Sequence, residues 1–126
     1  METSQKSRRI LVVDDEPSML DFCSRALSRA KKGYDVTLSS SAEDARAQLA
    51  RCEFDLLILD IHLPQEDGIS LLKHAQATHP GLPVILITGY PAVNTVVDAI
   101  RLNVREYLCK PFSVARFLEV VEENVT

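Results

Sequence analysis

Five short apolar segments alternate along the chain with stretches of helical periodicity. Three of these segments are unbroken apolar runs, namely Ile10–Val13, Leu56–Leu59 and Val84–Ile87. Parallel strands that are covered on both faces have this composition, because neither face meets water. The alternation with helical stretches is typical of an α/β domain. We therefore predict that these three segments are the central strands of a parallel sheet.

The other two apolar segments, Tyr34–Leu38 and Val104–Leu108, alternate apolar with polar residues. This alternation is typical of half-exposed strands, so we predict that the second and fifth strands lie at the edges. Right-handed crossovers then make 2-1-3-4-5 the simplest strand order. The sequence therefore predicts an α/β fold of the flavodoxin-like kind, with a doubly wound sheet of five parallel strands and five helices.

The predicted helices carry apolar stripes, which we interpret as contacts with the core. The stripes are Met19, Cys23, Ala26, Leu27 and Ala30 in the first helix, Val93, Val96, Val97 and Ile100 in the fourth, and Val114, Phe117, Leu118 and Val121 in the fifth. Gly33 is predicted to end the first helix. Ser41 and Ser113 are predicted to cap the starts of the second and fifth helices.

Composition and charge narrow the classes of function. A chain of 126 residues has the size of one domain, and its net charge of −4 gives no reason to expect direct nucleic-acid binding. No apolar run approaches the roughly 18 residues of a membrane helix, so we predict a cytoplasmic protein without membrane contact. Cys23, Cys52 and Cys109 lack metal-binding spacing and are interpreted as small buried residues.

Polar residues follow four of the five predicted strands at their carboxyl ends. Asp14 and Asp15 follow the first strand, Asp60 the third, Thr88 the fourth and Lys110 the fifth. Asp60 alone would be interpreted as a turn or cap residue, but these ends meet at the rim where such sheets bind ligands. Three carboxylates at one place repel one another unless a cation is bound. Oxygen-only ligands favour Mg²⁺, Mn²⁺ or Ca²⁺, and a site with few protein ligands that leaves room for water favours Mg²⁺ among them.

Four segments resemble, in order and spacing, the motifs of the receiver domain of two-component response regulators. They are ILVVDDEPSML, DLLILDIHLPQEDG, VILITGYPAV and EYLCKPF. The resemblance extends from about Arg9 to Val121. It implies the CheY-like form of the fold, with an N-terminal tail over residues 1–8 and a receiver domain over residues 9–126. It also implies a phosphoprotein of two-component signal transduction rather than an enzyme.

The resemblance assigns chemical roles to the residues at the rim. Asp60 would be the phosphoacceptor, a carboxylate that takes a phosphoryl group from a sensor histidine kinase or a phosphotransfer protein. Asp14, Asp15, Asp60 and the backbone carbonyl of His62 would hold Mg²⁺. Lys110 would supply a fixed positive charge opposite the ion.

The resemblance also assigns a switch and a pocket mouth. Thr88 would bind a phosphoryl oxygen, and its movement together with that of Tyr107 would change the surface built from the fourth helix, fifth strand and fifth helix. That surface would control an output, which we expect to be transcription. Its charges, including Glu106, Arg116 and Glu119, could pair across a homodimer or could be ordinary solvated residues. His62, Gly89 and Tyr90 would form the pocket mouth, and the bulk of His62 and Tyr90 is expected to slow hydrolysis of the phosphorylated form.

The chain departs from the usual family pattern at two positions. Leu63 stands before Pro64 where methionine is common, and Asn103-Val104 replaces Gly-Ala after the fourth helix. Asparagine tolerates the left-handed conformation that glycine provides, so we predict that this turn is retained. The bond between Lys110 and Pro111 matches a family position where the peptide is cis.

Two other classes of function were weighed against a phosphorylated receiver. Aspartyl phosphatases and phosphotransferases usually place a general acid two residues after the nucleophile, where this chain has His62. A phosphorylation-independent interaction module would be expected to lose some of the site residues, yet Asp15, Asp60, Thr88 and Lys110 are all present. Both alternatives are therefore less favoured by the sequence.

Overall fold

The structure is a computed structural model that describes residues 7–63, 68–89, 97 and 99–125. Five strands pair in parallel in one sheet, with the order β2-β1-β3-β4-β5. They are β1 Arg8–Val13, β2 Tyr34–Ser39, β3 Leu56–Asp60, β4 Val84–Thr88 and β5 Glu106–Cys109. The predicted fold class and strand order are confirmed.

The helices lie between and after these strands. They are α1 Pro17–Ser28, α2 Ala42–Arg51, α3 Gly68–Thr78, α4, of which the consecutive residues 99–101 are described, and α5 Val114–Asn124. Within the described residues, no helix is long and apolar enough to cross a membrane.

Burial separates the central strands from the edge strands as predicted. Every residue of β3 and β4 is buried, and so are the last four residues of β1. By contrast, β2 and β5 are mostly half-buried or exposed. Because β5 begins at Glu106, it starts two residues later than predicted. The predicted central runs are extended by one residue in β3 and β4, which include Asp60 and Thr88.

The two faces of the sheet carry separate core layers, because side chains alternate along a strand. Leu11, Val13 and Leu59 face the layer that contains α2 and α3. Ile10 and Val12 face the layer that contains α1 and α5. In this second layer, the rings of Phe112 and Phe117 stack at 5.6 Å, and Phe22 meets Phe112 edge-on at 5.7 Å.

Helix boundaries follow the predicted caps at two of three positions. The Ser41 hydroxyl accepts a hydrogen bond from the Asp44 N–H at 3.1 Å, and the Ser113 hydroxyl accepts one from the Arg116 N–H at 3.0 Å. The prediction that Gly33 ends α1 is wrong, because the helix ends at Ser28. There the N–H of Arg29 bonds to the carbonyl of Ala26, three residues back, which tightens and closes the last turn. Ala30 therefore lies beyond the helix.

The predicted apolar stripe of the fourth helix is wrong where the structure describes it. Val97 is 38% exposed and Ile100 is 70% exposed, whereas Ala99 is buried. The helix therefore turns Ala99 towards the sheet, and the larger side chains Val97 and Ile100 face solvent. Val93 and Val96 lie outside the described residues.

The turn after α4 is retained, as predicted. Asn103 has a φ of +56°, in the left-handed region. Its N–H bonds to the carbonyl of Ile100 at 3.1 Å, and the N–H of Val104 bonds to that of Ala99 at 3.2 Å. These two bonds form a Schellman motif, which satisfies carbonyls at the end of the helix. The bond between Lys110 and Pro111 is cis.

The cysteines differ in burial, although all three are free thiols. Cys23 is buried in α1, and burial raises the pKa of its thiol to about 12, with a further contribution from the charge of Asp14. Cys52 is partly buried. Cys109 is exposed at the end of the edge strand β5, so the prediction that it is a buried residue is wrong.

Candidate functional site

Three neighbouring strands bring Asp60, Thr88 and Lys110 to one edge of the sheet. In the strand register Asp60 pairs with Ile87, so Thr88 lies one residue further along β4. Thr88 pairs with Cys109 on β5, and its carbonyl accepts a hydrogen bond from the Lys110 N–H at 2.7 Å. The residues predicted at the carboxyl ends of these strands therefore share the expected rim.

Asp14, Asp15 and Asp60 form a cluster in which one carboxylate oxygen from each lies within 4.8 Å of the others. All donors in this cluster are carboxylate oxygens, which are the ligands that Mg²⁺ and Ca²⁺ prefer. Oδ1 of Asp14 accepts a hydrogen bond from the Glu16 N–H at 2.9 Å. Its buried Oδ2 forms an ion pair with Nζ of Lys110 at 2.9 Å but accepts no hydrogen bond from the described part of the chain. This oxygen and the donor set suit a divalent cation.

Lys110 lies at the centre of the carboxylates. Its Nζ is 2.9 Å from Oδ2 of Asp60, 2.9 Å from Oδ2 of Asp14 and 2.7 Å from Oε1 of Glu16. Burial lowers the pKa of Lys110, but the carboxylates of Glu16, Asp14 and Asp60 outweigh it and raise the pKa above that of an ordinary lysine. The ammonium group therefore stays charged and offsets part of the negative charge of the cluster.

Asp60 is buried and both of its carboxylate oxygens are held. Oδ1 accepts a hydrogen bond from the His62 N–H at 2.8 Å, and Oδ2 accepts one from Nζ of Lys110 at 2.9 Å. The bond to His62 is the turn contact expected of an aspartate at a strand end. The bond to Lys110 has no part in a turn, and together the two fix the orientation of the carboxylate.

Asp14 shows the cost of bringing these carboxylates together. Its pKa is raised from 3.8 to about 6, first by burial and then by the charge of Asp60. The N–H of Glu16 and the ammonium of Lys110 lower the pKa and offset only part of this. Burial is therefore the main cause of the raised pKa, and the repulsion that the sequence predicts adds a smaller part through Asp60.

An open depression of about 330 Å³ lies over the cluster. It is lined by Asp15, Glu16, Asp60, His62, Gly89 and Lys110. Two of the predicted mouth residues, His62 and Gly89, are therefore part of it, and Tyr90 lies outside the described residues. A Cβ at Gly89 would lie 3.8 Å from Cδ of Lys110, which is an ordinary contact, so only a larger side chain would press on the lysine.

A second depression, of about 440 Å³, lies at the opposite, amino-terminal ends of the strands. Its lining includes Phe54, Asp55 and Pro83, which directly precede β3 and β4. It contains none of the predicted site residues, so size alone does not identify the candidate site.

The loop after Asp60 packs against the start of α3. The N–H of Gly68 bonds to the carbonyl of Ile61 at 3.1 Å. A Cβ at Gly68 would lie 2.4 Å from Cα of Ile61, so no other residue fits without a shift of the backbone. Sequence reasoning missed this contact, although the glycine before a helical stretch was a signal that it could have used.

Two further residues at the site were missed by sequence reasoning. Glu16 contacts Lys110, but in the sequence it resembles an ordinary acid at a helix start. The carbonyl of Ser39 accepts a hydrogen bond from the Asp14 N–H at 3.1 Å, and its hydroxyl donates to Asp44 at 2.6 Å. Ser39 therefore ties the first aspartate to the end of β2 and the start of α2.

The predicted switch residues lie on neighbouring strands. Thr88 is fully buried, and Tyr107 is half-buried and packs against the core layer of α2 and α3. Arg116 of α5 lies 3.7 Å from Glu106 of β5 and 2.7 Å from Glu119 of α5. These charges therefore pair within one copy of the chain.

Comparisons with known proteins agree with this arrangement. The sequence model of a family described as the response regulator receiver domain matches residues 10–122. The chain is 38% identical over 114 residues to the transcriptional regulatory protein ZraR of Salmonella typhimurium, covering 90% of this chain and 25% of that relative. It is 40% identical over 111 residues to the alginate biosynthesis transcriptional regulatory protein AlgB of Pseudomonas aeruginosa, covering 88% of this chain and 24% of that relative.

A solved structure extends the comparison to the fold. The response regulator receiver domain protein from Methanospirillum hungatei JF-1 superposes with a TM-score of 0.90 at 31% identity, covering 95% of this chain and 94% of that chain. The chain spans about a quarter of the length of the two curated relatives. The family match includes all but the first two residues of the sheet and most of α5. The chain belongs to the response regulator receiver domain family.

Proposed function

We propose that this receiver domain, which we assign to residues 9–126, accepts a phosphoryl group on Asp60 from a sensor histidine kinase or a phosphotransfer protein, in a reaction that requires Mg²⁺. The observation that carries the proposal is the environment of the Asp60 carboxylate. It is buried at the end of a central strand, it lies within the cluster of Asp14 and Asp15, and Lys110 contacts it at 2.9 Å.

The chemistry is a transfer of the phosphoryl group to a carboxylate. One oxygen of Asp60 forms a bond to phosphorus while the P–N bond of the donor phosphohistidine breaks. The imidazole keeps the electron pair of that bond and takes up a proton, and the product is an aspartyl acyl phosphate. Lys110 stands beside the reacting carboxylate and stabilises the negative charge on the phosphoryl oxygens.

The described residues suit a bound Mg²⁺. Asp14, Asp15 and Asp60 would hold it with the backbone carbonyl of His62, and the buried Oδ2 of Asp14 is one oxygen that such an ion would satisfy. When bound, the ion supplies positive charge to the phosphoryl oxygens. Thr88, which ends the neighbouring strand, would donate its hydroxyl to one of these oxygens.

The acyl phosphate would then act through the neighbouring strands. It adds about −1.5 to −2 charges at the rim, and Thr88 and Tyr107 would follow it into a second arrangement. The surface of α4, β5 and α5 would report this change through a homodimer. The names of the two curated relatives support a transcriptional output, which this cytoplasmic domain would control without binding nucleic acid itself.

Labelling with a small phosphodonor tests the proposal. The purified chain is incubated with Mg²⁺ and acetyl phosphate, and the mass increase of one phosphoryl group is measured by intact mass spectrometry. We expect near-stoichiometric label, its loss in Asp60→Asn and with EDTA, and its retention in Asp35→Asn. Asp35 is a matched control because it is an exposed carboxylate on the edge strand β2.

The other outcomes separate the competing functions. Label that persists in Asp60→Asn would contradict the assignment of the phosphoacceptor. Multiple turnover of a phosphoester would indicate an aspartyl enzyme. Absence of label with both acetyl phosphate and a phosphorylated histidine kinase would favour a phosphorylation-independent interaction module.

The residues at the pocket mouth are predicted to lengthen the lifetime of the phosphorylated form. His62 is exposed and lines the depression, where its ring would restrict the approach of water to the acyl phosphate. We expect His62→Asn and Tyr90→Ala to shorten the lifetime, as measured by loss of label after the donor is removed. Unchanged lifetimes in both variants would refute this prediction.

A further inference from the structure

One of the three carboxylates that contact Lys110 lies outside the proposed phosphoacceptor and metal ligands. Nζ of Lys110 is 2.7 Å from Glu16, and 2.9 Å from both Asp14 and Asp60. Two of these contacts are hydrogen bonds, to Glu16 and to Asp60, and the contact with Asp14 is an ion pair. A phosphoryl group on Asp60 therefore competes with Glu16 for the N–H donors and the positive charge of Lys110.

Exposure indicates which contact is released. The side chain of Glu16 is 56% exposed, whereas those of Asp14 and Asp60 are 0% and 5% exposed. Water can solvate the carboxylate of Glu16 after release, but Oδ2 of Asp14 would stay buried without its cationic neighbour. Asp60 is itself the proposed site of attachment. Glu16 is therefore the partner that can be exchanged.

The side chain of Glu16 has no competing structural role at its position. Glu16 is the N-cap residue of α1, but its side chain makes no capping hydrogen bond. Only the backbone of Glu16 contributes to the start of the helix, where its N–H donates a hydrogen bond to Asp14. Its carboxylate is thus free to be replaced without loss of the local fold.

We propose that Glu16 is a specificity-determining residue, whose carboxylate occupies Lys110 in the unphosphorylated protein and opposes small anionic phosphodonors. The inference rests on the proposed function of Asp60. A donor such as acetyl phosphate is an acyl phosphate with a charge of about −2, similar to that of a phosphorylated side chain. The depression is lined by both Glu16 and Lys110, so the donor competes with Glu16 for Lys110 and also approaches a like charge.

The test compares two glutamine variants, each of which removes one negative charge, at opposite ends of the strands. Glu16→Gln keeps the size of the side chain, and Glu53→Gln is the matched control because Glu53 is exposed and lines the opposite depression. Beryllofluoride serves as a stable stand-in for the phosphoryl group, and its affinity is measured by isothermal titration calorimetry at saturating Mg²⁺. The rate of labelling by acetyl phosphate is measured in parallel.

We expect Glu16→Gln to raise both the beryllofluoride affinity and the labelling rate by roughly threefold to fivefold, the range for a half-exposed ion pair. Glu53→Gln should match the wild type, and added salt should reduce the gain because exposed charges are screened. Glu16→Ala should show the same gain as Glu16→Gln. Urea unfolding of each variant verifies that it is folded.

The outcomes separate this inference from the proposed function. If the wild type is labelled on Asp60 but Glu16→Gln is no better than Glu53→Gln, or is worse, the role of Glu16 is refuted and the phosphoacceptor assignment stands. If the wild type is not labelled and does not bind beryllofluoride, the proposed function fails, and the role of Glu16 fails with it.

Discussion

Replacement of Asp14 by asparagine should stabilise the metal-free protein at neutral pH. Asp14 is fully buried, and its pKa is raised from 3.8 to about 6, first by burial and then by the charge of Asp60. The folded protein therefore binds this proton more tightly than the unfolded chain does. For a group of this kind, the free energy of unfolding decreases as the pH rises from about 4 to about 6.

The size of the effect follows from the two pKa values. Each unit of difference corresponds to about 1.4 kcal/mol, so the charge on Asp14 lowers the free energy of unfolding by about 3 kcal/mol above pH 6. Asparagine removes this charge and can keep the hydrogen bond from the Glu16 N–H. It also loses the ion pair with Lys110, which offsets part of the gain. We expect a net stabilisation of about 1–3 kcal/mol.

Equilibrium urea unfolding measures this difference. The chain has three tyrosines and no tryptophan, so far-UV circular dichroism is the suitable probe. Unfolding is followed in EDTA at about pH 4 and about pH 7.5, which lie below and above the folded-state pKa of Asp14. Asp21→Asn is the matched control, because Asp21 is 60% exposed and pairs with Arg25 on the surface of α1. It should change the free energy of unfolding by less than about 1 kcal/mol at either pH.

Two results would refute this reasoning. One is an Asp14→Asn variant that is no more stable than the wild type at about pH 7.5. The other is an equal gain at about pH 4, where Asp14 is already protonated in the folded protein. Saturating Mg²⁺ should stabilise the wild type and reduce the advantage of the variant, because the ion offsets the same charge.

Three further predictions concern stability and are measured by urea unfolding. Gly68→Ala should lower the free energy of unfolding by about 1–3 kcal/mol, because its Cβ meets the backbone of Ile61. Gly33→Ala is its control, with a nearest contact of 3.7 Å, and an equal loss in both would contradict the steric argument. Asn103→Ala should cost about 1 kcal/mol and Asn103→Gly should not, because the φ of +56° is left-handed; equal stabilities would show that the turn relaxes. Phe117→Ala should cost about 3–5 kcal/mol because the ring is fully buried, and a loss below about 1 kcal/mol would be inconsistent with that packing.

The positions of the strands were predictable because burial constrains composition. A strand covered on both faces has to be apolar at consecutive positions, and β1, β3 and β4 are buried in this way. An edge strand meets water, so polar residues alternate along β2 and β5. Together with the handedness of crossovers, this contrast makes the observed strand order the simplest arrangement.

The buried face of α4 was not predictable from periodicity. Val97 and Ile100 are spaced as a core stripe, yet they are exposed while Ala99 is buried. The rotation of a helix about its own axis depends on how the helix packs against the sheet. A small residue such as Ala99 can face the sheet because it lets the helix approach closely. Similarly, α1 ends at Ser28 because the last turn closes on itself, and the later glycine has no part in that end.

The sequence by itself determined that Asp14, Asp60 and Lys110 share one rim, because the carboxyl ends of parallel strands meet at the same edge. Only the tertiary structure decided which atoms touch there. The bonds from Lys110 to Asp60 and to Glu16 join residues 50 and 94 positions apart. Contacts shorter than 3 Å over such separations depend on the packing of whole strands and loops. For this reason the exposed partner of Lys110, Glu16, is visible only in the folded protein.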